Sequence, residues 1–292
     1  MTGRPAEHSV VDSATATELA AVAARAATAV ADDLRRAFRS GMRVEFKRDL
    51  HDPVTEHDRR AEQVIREVIL DLVPDSTIVG EEAGSAGQGR VHWYVDPIDG
   101  TANFAGGLAF FCTSIGAVVD GRVVAGAIND PMAGHLFTAT VDGAWCNGEP
   151  LRSEGATDES AALLITSYPS TRVLAADPRA PLDRLSRLIT TFRTVRRVGS
   201  AALTLAHVAA GWADAAFGLG VNAWDVSAGS LLVRSAGGHY QPVWTDDPAG
   251  RPEHLAPGYL ATVARLRTAV LSDVVGEITS TPPGTAQRDT GR

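Results

Sequence analysis

Six consecutive residues, from Asp96 to Thr101, combine two carboxylates, a proline, a glycine and a hydroxyl directly after an apolar, β-prone segment. The first carboxylate is therefore expected at the carboxyl end of a strand, where ligands collect in layered α/β folds. The proline disfavours helical dihedrals before it, so Asp96 and Asp99 can converge on a hard cation. Gly100 allows a ligand to approach the backbone closely. The run is a candidate metal and phosphate site, although Asp-Pro and Asp-Gly are also common in plain turns.

Four further carboxylates stand at junctions between elements. Asp52 and Asp58 flank a Pro-Val-Thr segment, Glu81 follows a glycine, and Asp225 follows a tryptophan. Taken singly, each has an ordinary explanation as a helix cap or a solvated loop residue. Taken together, such carboxylates repel one another unless cations lie between them, which favours a metal cluster. A phosphate-ester hydrolase uses oxygen ligands of this kind to hold Mg²⁺.

Composition limits the other classes of function. The chain has 292 residues, of which 45% are hydrophobic, so it can bury a full core in one large or two small domains. Its net charge of −8 argues against a nucleic-acid-binding surface, which needs clustered basic residues. Its two cysteines, Cys112 and Cys146, suggest neither a disulfide framework nor a thiolate metal cage. No segment approaches the ~18 consecutive apolar residues of a membrane span, and we expect a cytoplasmic protein without membrane or nucleic-acid partners.

The elements that must position these carboxylates begin with two helices. A capping box at Thr15 and Glu18 opens a helical apolar pattern that continues to Phe38. Thr55 and Asp58 cap a second helix. After these helices in the sequence, β-prone runs separated by Asp-Gly turn signals predict an antiparallel meander. These runs are Thr77 to Gly80, Val91 to Asp96, Ser114 to Val119, Arg122 to Ile128 and His135 to Thr140.

The second half alternates strand-like runs with helical patterns, which predicts a layered α/β unit. The strand-like runs are Leu163 to Thr166, Asp214 to Phe217, Tyr240 to Val243 and Tyr259 to Thr262. A further helix begins after Gly199, and its first residues, Ser200 and Ala201, present backbone N–H groups that could bind an anion.

The spaced motifs of this chain resemble those of the inositol monophosphatase family. The motifs are Asp52-x-Val54-Thr55-x-x-Asp58, Gly80-Glu81-Glu82, Asp96-Pro97-Ile98-Asp99-Gly100-Thr101, Gly199-Ser200-Ala201-Ala202 and Trp224-Asp225-x-x-Ala228-Gly229. The resemblance extends from about Ala14 beyond Gly238, which is most of the chain. The motif that begins at Asp96 and the motif that contains Asp225 are the most specific.

We therefore expect the α+β/α/β class, a layered αβαβα sandwich with an antiparallel meander in the N-terminal half and a mixed sheet in the C-terminal half. Residues 13–150 are expected to form an α+β subdomain with most metal ligands. Residues 151–279 are expected to form an α/β subdomain that contributes Asp225. Residues 1–12 and 280–292 are polar and are expected to be mobile tails.

The resemblance implies a phosphomonoesterase with two to three Mg²⁺ ions in each active site. Glu81, Asp96 and the Ile98 carbonyl would hold the first ion. Asp96, Asp99 and Asp225 would hold the second. The resemblance also implies inhibition by lithium and a homodimer.

The resemblance further implies how the substrate is bound and attacked. Thr101, paired with Asp52, would orient the water that attacks phosphorus, with Glu81 as a further catalytic residue. The N–H groups of Gly100 and Thr101 would bind phosphate oxygens, and Lys47 would add positive charge near them. Ser200, Ala201, Gly218 and Asp225 are the other expected substrate contacts.

Substrate choice is left open by one position. Family members that hydrolyse inositol phosphate carry a glutamate seven residues before the Trp-Asp aspartate, and this chain has Gly218 there. The helix start at Ser200 and Ala201 is more similar to the inositol and sugar phosphatases, which favours a small polyol or sugar phosphate such as inositol 1-phosphate. Alternatives are phosphatases of histidinol phosphate, fructose 1,6-bisphosphate or 3′-phosphoadenosine 5′-phosphate, and a non-catalytic regulatory protein on the same fold, since some relatives also bind the transcription machinery.

Overall fold

The structure is a computed structural model, and it describes residues 11–41, 43–46 and 53–280. The expected tails lie almost entirely outside these residues. The α-helices are α1 Ser13–Ala29, α2 Ala31–Ala37, α3 Glu56–Leu72, α4 Thr101–Gly106, α5 Thr171–Ala176, α6 Ala180–Thr191, α7 Ala201–Ala209, α8 Ala223–Ser235 and α9 Ala269–Ser280. The strands are β1 Val44–Phe46, β2 Pro53–Thr55, β3 Ser76–Gly80, β4 Gly84–Gly87, β5 Val91–Asp99, β6 Cys112–Val119, β7 Arg122–Asp130, β8 His135–Thr140, β9 Gly143–Cys146, β10 Glu149–Pro150, β11 Leu163–Thr166, β12 Thr194–Arg196, β13 Ala215–Leu219, β14 His239–Val243 and β15 Gly258–Thr262. None of the helices in the part of the chain described is long and apolar enough to cross a membrane.

The first helix differs from its sequence-based expectation at both ends. It is capped by Asp12, whose carboxylate accepts a hydrogen bond from the Thr15 backbone N–H at 2.7 Å, and not by a Thr15/Glu18 box. An aspartate is as good an N-cap as a threonine, so the helix starts earlier. It is also interrupted at Val30. The Thr28 hydroxyl donates to the carbonyl four residues before it, a bond that bends helices.

Helix α3 confirms its expected cap. The Thr55 backbone N–H donates to Asp58 Oδ2 at 2.7 Å, and the Thr55 side chain accepts from the backbone N–H of His57 at 3.2 Å. The apolar positions Ala61, Ile65 and Ile69 are buried and pack in the same core as the strands of the first sheet.

The first sheet has the strand order β10-β9-β8-β7-β6-β5-β3-β4. Strands β5 to β10 form the expected antiparallel meander. One pair departs from the antiparallel pattern, because β3 and β5 pair in parallel. Strand β4 consists of Gly, Ser, Ala and Gly and is exposed throughout, so it folds back as the edge and leaves the inner position beside β3 to the apolar β5.

The second sheet has the order β12-β11-β13-β15-β14 and is mixed, as expected. Helices α7 and α8 pack between the two sheets, α1 and α3 cover the outer face of the first sheet, and α9 packs with α6 beyond the second. The layers form an αβαβα sandwich, which confirms the expected fold class. The division at residue 150 stays a prediction.

Candidate metal and phosphate site

The end of strand β5 places two carboxylates together. The pairing of β5 with β6 shifts register between Asp96 and Asp99, so the strand bends where Pro97 lies. The Thr113 hydroxyl donates to the Pro97 carbonyl at 2.9 Å, and the Ile98 backbone N–H donates to Asp96 Oδ1 at 3.0 Å. Both aspartates are buried, at 2% and 7% exposure respectively. The bend brings their carboxylates to one side of the sheet end.

Asp225 completes a group of three carboxylates. It occupies the first turn of α8, and its Oδ2 accepts from the Asn222 backbone N–H at 2.7 Å. One oxygen each of Asp96, Asp99 and Asp225 lies within 4.8 Å of the other two. Two of these ligands come from the first sheet, and the third comes from a helix between the sheets. The structure therefore brings together three of the sequence-predicted metal ligands.

The electrostatics of this group favour a bound cation. Burial, followed by the charges of Glu81, Asp99 and Asp225, raises the pKa of Asp96 well above its ordinary value. Burial and then the Asp99 charge raise the pKa of Asp225 to about 8. Among the residues described, no arginine or histidine forms an ion pair with the three aspartates. A hard divalent cation would supply the missing positive charge, so the donor set fits Mg²⁺.

Glu81 is partly exposed and lies close enough to act on the other acids. Its charge raises the pKa values of Asp58, Asp96 and Asp99, although burial has the larger effect on each. Its backbone N–H donates to the Val95 carbonyl at 3.2 Å, which holds the start of this loop against β5. Its role as a metal ligand stays a prediction.

The hydroxyl of Thr101 pairs with Asp58. Thr101 Oγ1 lies 3.0 Å from Asp58 Oδ1 and 3.0 Å from the Ile98 carbonyl oxygen, so it donates to one of them at a time. Asp58 is buried, and its other oxygen accepts from the Thr55 hydroxyl at 2.6 Å. Burial raises the pKa of Asp58, against the effect of these hydrogen bonds.

The expected partner of Thr101 was Asp52, which lies outside the described residues, as does Lys47. In the structure the observed partner is Asp58, which the sequence identified as a helix cap and as one of the junction carboxylates but not as the partner of Thr101. The sequence did contain one signal for this role. An aspartate at the third position of a helix uses one carboxylate oxygen in the capping box, so its other oxygen can accept a further hydrogen bond. The capping prediction was correct, but it accounted for only one of the two oxygens of Asp58.

Helix α4 starts directly at the site. Gly100 has φ 97°, a left-handed conformation that favours glycine. A Cβ there would lie 3.1 Å from the Phe110 carbonyl oxygen and 3.3 Å from the Cβ atoms of Phe111 and Ser200. The left-handed backbone and this tight fit both favour a glycine here, and the chain turns so that Thr101 begins the helix. The expected close approach of a ligand to Gly100 stays a prediction.

The start of α7 is not the free anion site that the sequence suggested. The Ser200 hydroxyl donates to Asp99 Oδ2 at 2.6 Å, the Ala202 N–H donates to the same oxygen at 2.6 Å, and the Ala201 N–H donates to Oδ1 at 3.3 Å. The expected anion-binding N–H groups are present, but the anion that they hold is the protein's own Asp99 carboxylate. Substrate contacts by Ser200 and Ala201 stay predictions.

Gly218 is buried in β13 and faces a tyrosine. A Cβ on Gly218 would lie 2.6 Å from Cε1 and 3.2 Å from the hydroxyl oxygen of Tyr259. The two residues are cross-strand partners in the β13–β15 pair. Sequence reasoning missed Tyr259, because a cross-strand neighbour depends on the order of the strands and has no local signal.

Known proteins resemble this chain over most of its length. The model of the inositol monophosphatase family matches residues 15–269. The Nus factor SuhB of Pasteurella multocida is 40% identical over 220 residues, which cover 73% of this chain and 79% of that protein. The Nus factor SuhB of Salmonella typhimurium LT2 is 36% identical over 261 residues, which cover 88% of this chain and 96% of that protein.

Two solved structures extend the similarity to the fold. The extragenic suppressor protein suhB from Bartonella henselae has a TM-score of 0.78 at 28% identity and covers 90% of this chain and 98% of its own. The inositol monophosphatase from Anabaena (Nostoc) sp. PCC 7120 has a TM-score of 0.73 at 29% identity, with 93% and 99% covered.

Proposed function

This chain belongs to the inositol monophosphatase family, and from that premise we propose that it is a Mg²⁺-dependent phosphomonoesterase acting on a small polyol or sugar phosphate. The observation that carries the proposal is the group of three carboxylates within 4.8 Å of one another, together with the hydrogen bond between the part-buried Thr101 hydroxyl and the buried Asp58. The carboxylates offer ligands for a metal ion, and the Thr101–Asp58 pair offers a group that could orient a nucleophile.

The ligands follow from the donor chemistry. Asp96, Asp99 and Asp225 would share Mg²⁺ with Glu81 and the Ile98 carbonyl, and we propose two to three ions in each site. Bound Mg²⁺ would lower the pKa of a water molecule and stabilise charge on the phosphate and the departing alkoxide. Asp99 is already held by donors at the start of α7, and one of its oxygens lies within 4.8 Å of an oxygen of Asp96 and of Asp225.

The chain's own residues orient the reactants. When the Thr101 hydroxyl donates its proton to Asp58, its oxygen is left as an acceptor that can hold a water hydrogen and direct the water oxygen towards phosphorus. The raised pKa of Asp58 suits a group that takes up a proton through this hydroxyl. We assign to Asp58 the role expected of Asp52. The N–H groups of Gly100 and Thr101 would hold phosphate oxygens, and Lys47 would add charge.

The test is phosphate release from a panel of phosphomonoesters by the purified protein with Mg²⁺. The panel includes inositol 1-phosphate, sugar monophosphates, histidinol phosphate, fructose 1,6-bisphosphate and 3′-phosphoadenosine 5′-phosphate, and the ranking of rates selects the branch. Asp96→Asn and Asp225→Asn should each abolish turnover. Asp158→Asn is the matched control, because Asp158 is half-exposed and paired with Arg267. No release from any ester, or full activity in the site variants, would overturn the proposal.

A regulatory function is the second candidate, because the similar bacterial proteins carry the name Nus factor. Under this reading the fold would bind a protein partner, and association would not need the metal cluster. Affinity capture with wild type and with Asp225→Asn separates the readings. A partner held equally by both proteins, together with no Mg²⁺ binding by calorimetry, would favour regulation over catalysis.

Three family-derived properties accompany the proposed activity. Millimolar Li⁺ should inhibit turnover, and unchanged turnover would contradict a close functional likeness. Sedimentation should give a homodimer. A cytoplasmic location stays a prediction, and fractionation of the source cells would test it.

A further inference from the structure

Tyr259 fills the space beside Gly218. The ideal Cβ of Gly218 falls 2.6 Å from the Tyr259 ring, far closer than a real contact, so no side chain fits at position 218 while the ring is there. The ring is fixed on its other side by Tyr240, with centroids 6.2 Å apart and planes within 11°. The tyrosine is buried, at 3% exposure. Its position is therefore set by packing.

The hydroxyl of Tyr259 has unused hydrogen-bonding capacity. Among the residues described it has no hydrogen-bond partner. Three other polar atoms lack both a hydrogen-bond partner and contact with solvent, namely Tyr168 Oη, Trp224 Nε1 and Tyr240 Oη. The Tyr259 hydroxyl differs from them in not being fully sealed from solvent. The oxygen of this phenol therefore keeps at most a small contact with solvent, since the whole residue is 3% exposed. A buried ring whose hydroxyl has unused hydrogen-bonding capacity is a suitable binding group.

The strand that carries Tyr259 is tied to the loop that leads to Asp225. The backbone N–H groups of Gly220 and Val221 donate to the Pro257 carbonyl at 2.7 and 3.2 Å, which ties the loop before Asp225 to the start of β15. Burial raises the pKa of Tyr259, and the charges of Asp99 and Asp225 contribute to the rise, so both carboxylates lie within electrostatic range of the phenol. The phenol is neutral and can donate its proton.

We propose that Tyr259 is a substrate-binding residue whose hydroxyl contacts the organic part of the phosphomonoester, in the space that a side chain at position 218 would otherwise occupy. The inference rests on the proposed phosphatase function and deepens it. It places a neutral hydroxyl where family members that hydrolyse inositol phosphate carry the glutamate that corresponds to Gly218.

The chemistry of the substrate follows from the chemistry of the phenol. A carboxylate only accepts hydrogen bonds and repels anions, whereas a phenol both donates and accepts and carries no charge. Tyr259 therefore admits an alcohol moiety that presents an acceptor, such as a carbonyl, a carboxylate or a second phosphate. It also binds a simple hydroxyl. The site accordingly selects less strictly for a polyol than a carboxylate site does.

The first test is Tyr259→Phe, which removes the hydroxyl and keeps the ring. Inositol 1-phosphate serves as the polar ester and phenyl phosphate as an ester whose alcohol part lacks polar groups. We expect KM for inositol 1-phosphate to rise about three- to tenfold with little change in kcat, as for the loss of one hydrogen bond. KM for phenyl phosphate should not change. Tyr240→Phe is the matched control, because its hydroxyl is sealed from solvent, and it should leave both KM values unchanged.

The outcomes separate this inference from the proposed function. Wild type that releases phosphate from no ester of the panel overturns both, and if another ester of the panel is cleaved faster than inositol 1-phosphate, that ester takes its place in the comparison. Active wild type with equal losses on both esters in Tyr259→Phe, or with no loss, overturns the inference alone. Melting temperatures of all variants accompany the kinetics, and an unchanged melting temperature excludes a merely structural effect.

A second variant pair tests the shared space. Gly218→Glu alone should be destabilised, because its Cβ would overlap the Tyr259 ring. Adding Tyr259→Ala should relieve the overlap, so the double variant should melt higher than Gly218→Glu and should favour inositol 1-phosphate over an ester with a second phosphate. If Gly218→Glu melts like wild type and binds substrate like wild type, the two side chains do not compete and the inference fails.

Discussion

Thr101 and Asp58 are joined by a 3.0 Å hydrogen bond between the starts of two helices that lie 43 residues apart in sequence. The same carboxylate accepts from Thr55 through its other oxygen. One aspartate therefore closes the first turn of α3 and holds the hydroxyl at the first turn of α4. Its position is fixed by the scaffold and does not depend on a substrate.

Replacing this pair should stop catalysis. We expect Asp58→Asn and Thr101→Ala each to lower kcat/KM roughly 10²–10⁴-fold, the range for a lost acid–base group. The double variant should be little worse than either single variant, because the two residues act as one unit. Steady-state kinetics with inositol 1-phosphate measure the losses.

Asp52→Asn provides the comparison for that prediction. If Asp58 is the partner that matters, Asp52→Asn should lose far less activity than Asp58→Asn. A larger loss in Asp52→Asn would return the role to Asp52. Thermal melting separates catalysis from the cap, because Asp58→Asn also weakens the capping box at the start of α3.

Removing the metal should destabilise the protein. Three carboxylates of like charge, two of them buried, lose their counterion when a chelator is added, whereas Mg²⁺ at about 100 times its Kd should add about 2.7 kcal/mol. We expect the melting temperature to fall by several degrees in EDTA and to recover with Mg²⁺. Asp225→Asn should respond weakly to Mg²⁺, while Asp158→Asn should respond like wild type. Equal melting with and without EDTA would argue against the metal site.

Gly100→Ala should damage both stability and turnover. Its left-handed backbone disfavours alanine by about 1 kcal/mol, and the new methyl would press on the Phe110 carbonyl and on Ser200. Gly107→Ala is the control, since Gly107 is also left-handed, with φ 78°, but meets only the flexible Arg39 side chain at 3.5 Å. Kinetics and urea unfolding of both variants measure the difference. Equal activity in the two would mean that the contacts around Gly100 do not position the site.

His254 should make the protein sensitive to mild acid. Burial and then the His92 charge lower the pKa of His254 to about 4, against the opposing effect of Glu253. The ring packs edge-on against Tyr94. A depressed histidine pKa means that the unfolded state takes up the proton first, so stability falls as pH drops below about 6.5 and the loss is complete near the folded pKa.

Urea unfolding at two pH values tests this sign. Between about pH 7 and about pH 5, His254 should cost the wild type about 2 kcal/mol of unfolding free energy. His254→Phe cannot titrate and should lose correspondingly less over the same interval. A parallel loss in the variant and the wild type would assign the acid sensitivity to other groups.

Features set by short stretches of sequence were predictable. The α3 cap, strand β8 and strand β11 follow the expected residues, because caps, apolar alternation and turn dipeptides act between near neighbours. The group of Asp96, Asp99 and Asp225 was also predicted, but through the resemblance of motifs that lie far apart in the chain. Local pattern alone left Asp96 and Asp99 indistinguishable from a turn.

Features set by the order of strands were not predictable. The parallel pairing of β3 with β5 depends on which strand takes the buried place. The contact between Tyr259 and Gly218 depends on β15 lying beside β13. Ser200 binds Asp99 although 101 residues separate them, and no rule of spacing connects the two. Such relationships follow from the packed layers.

The bonds from α7 to Asp99 have a consequence for how an ion would be received. Because the serine hydroxyl and two backbone N–H groups already hold this carboxylate, it is oriented when the protein folds and has no rotamer freedom left to lose. The site is preorganised, and an arriving cation meets a rigid ligand at the seam of the two sheets. The same rigidity means that any shift of α7 along the second sheet would be transmitted to the ion through a single side chain.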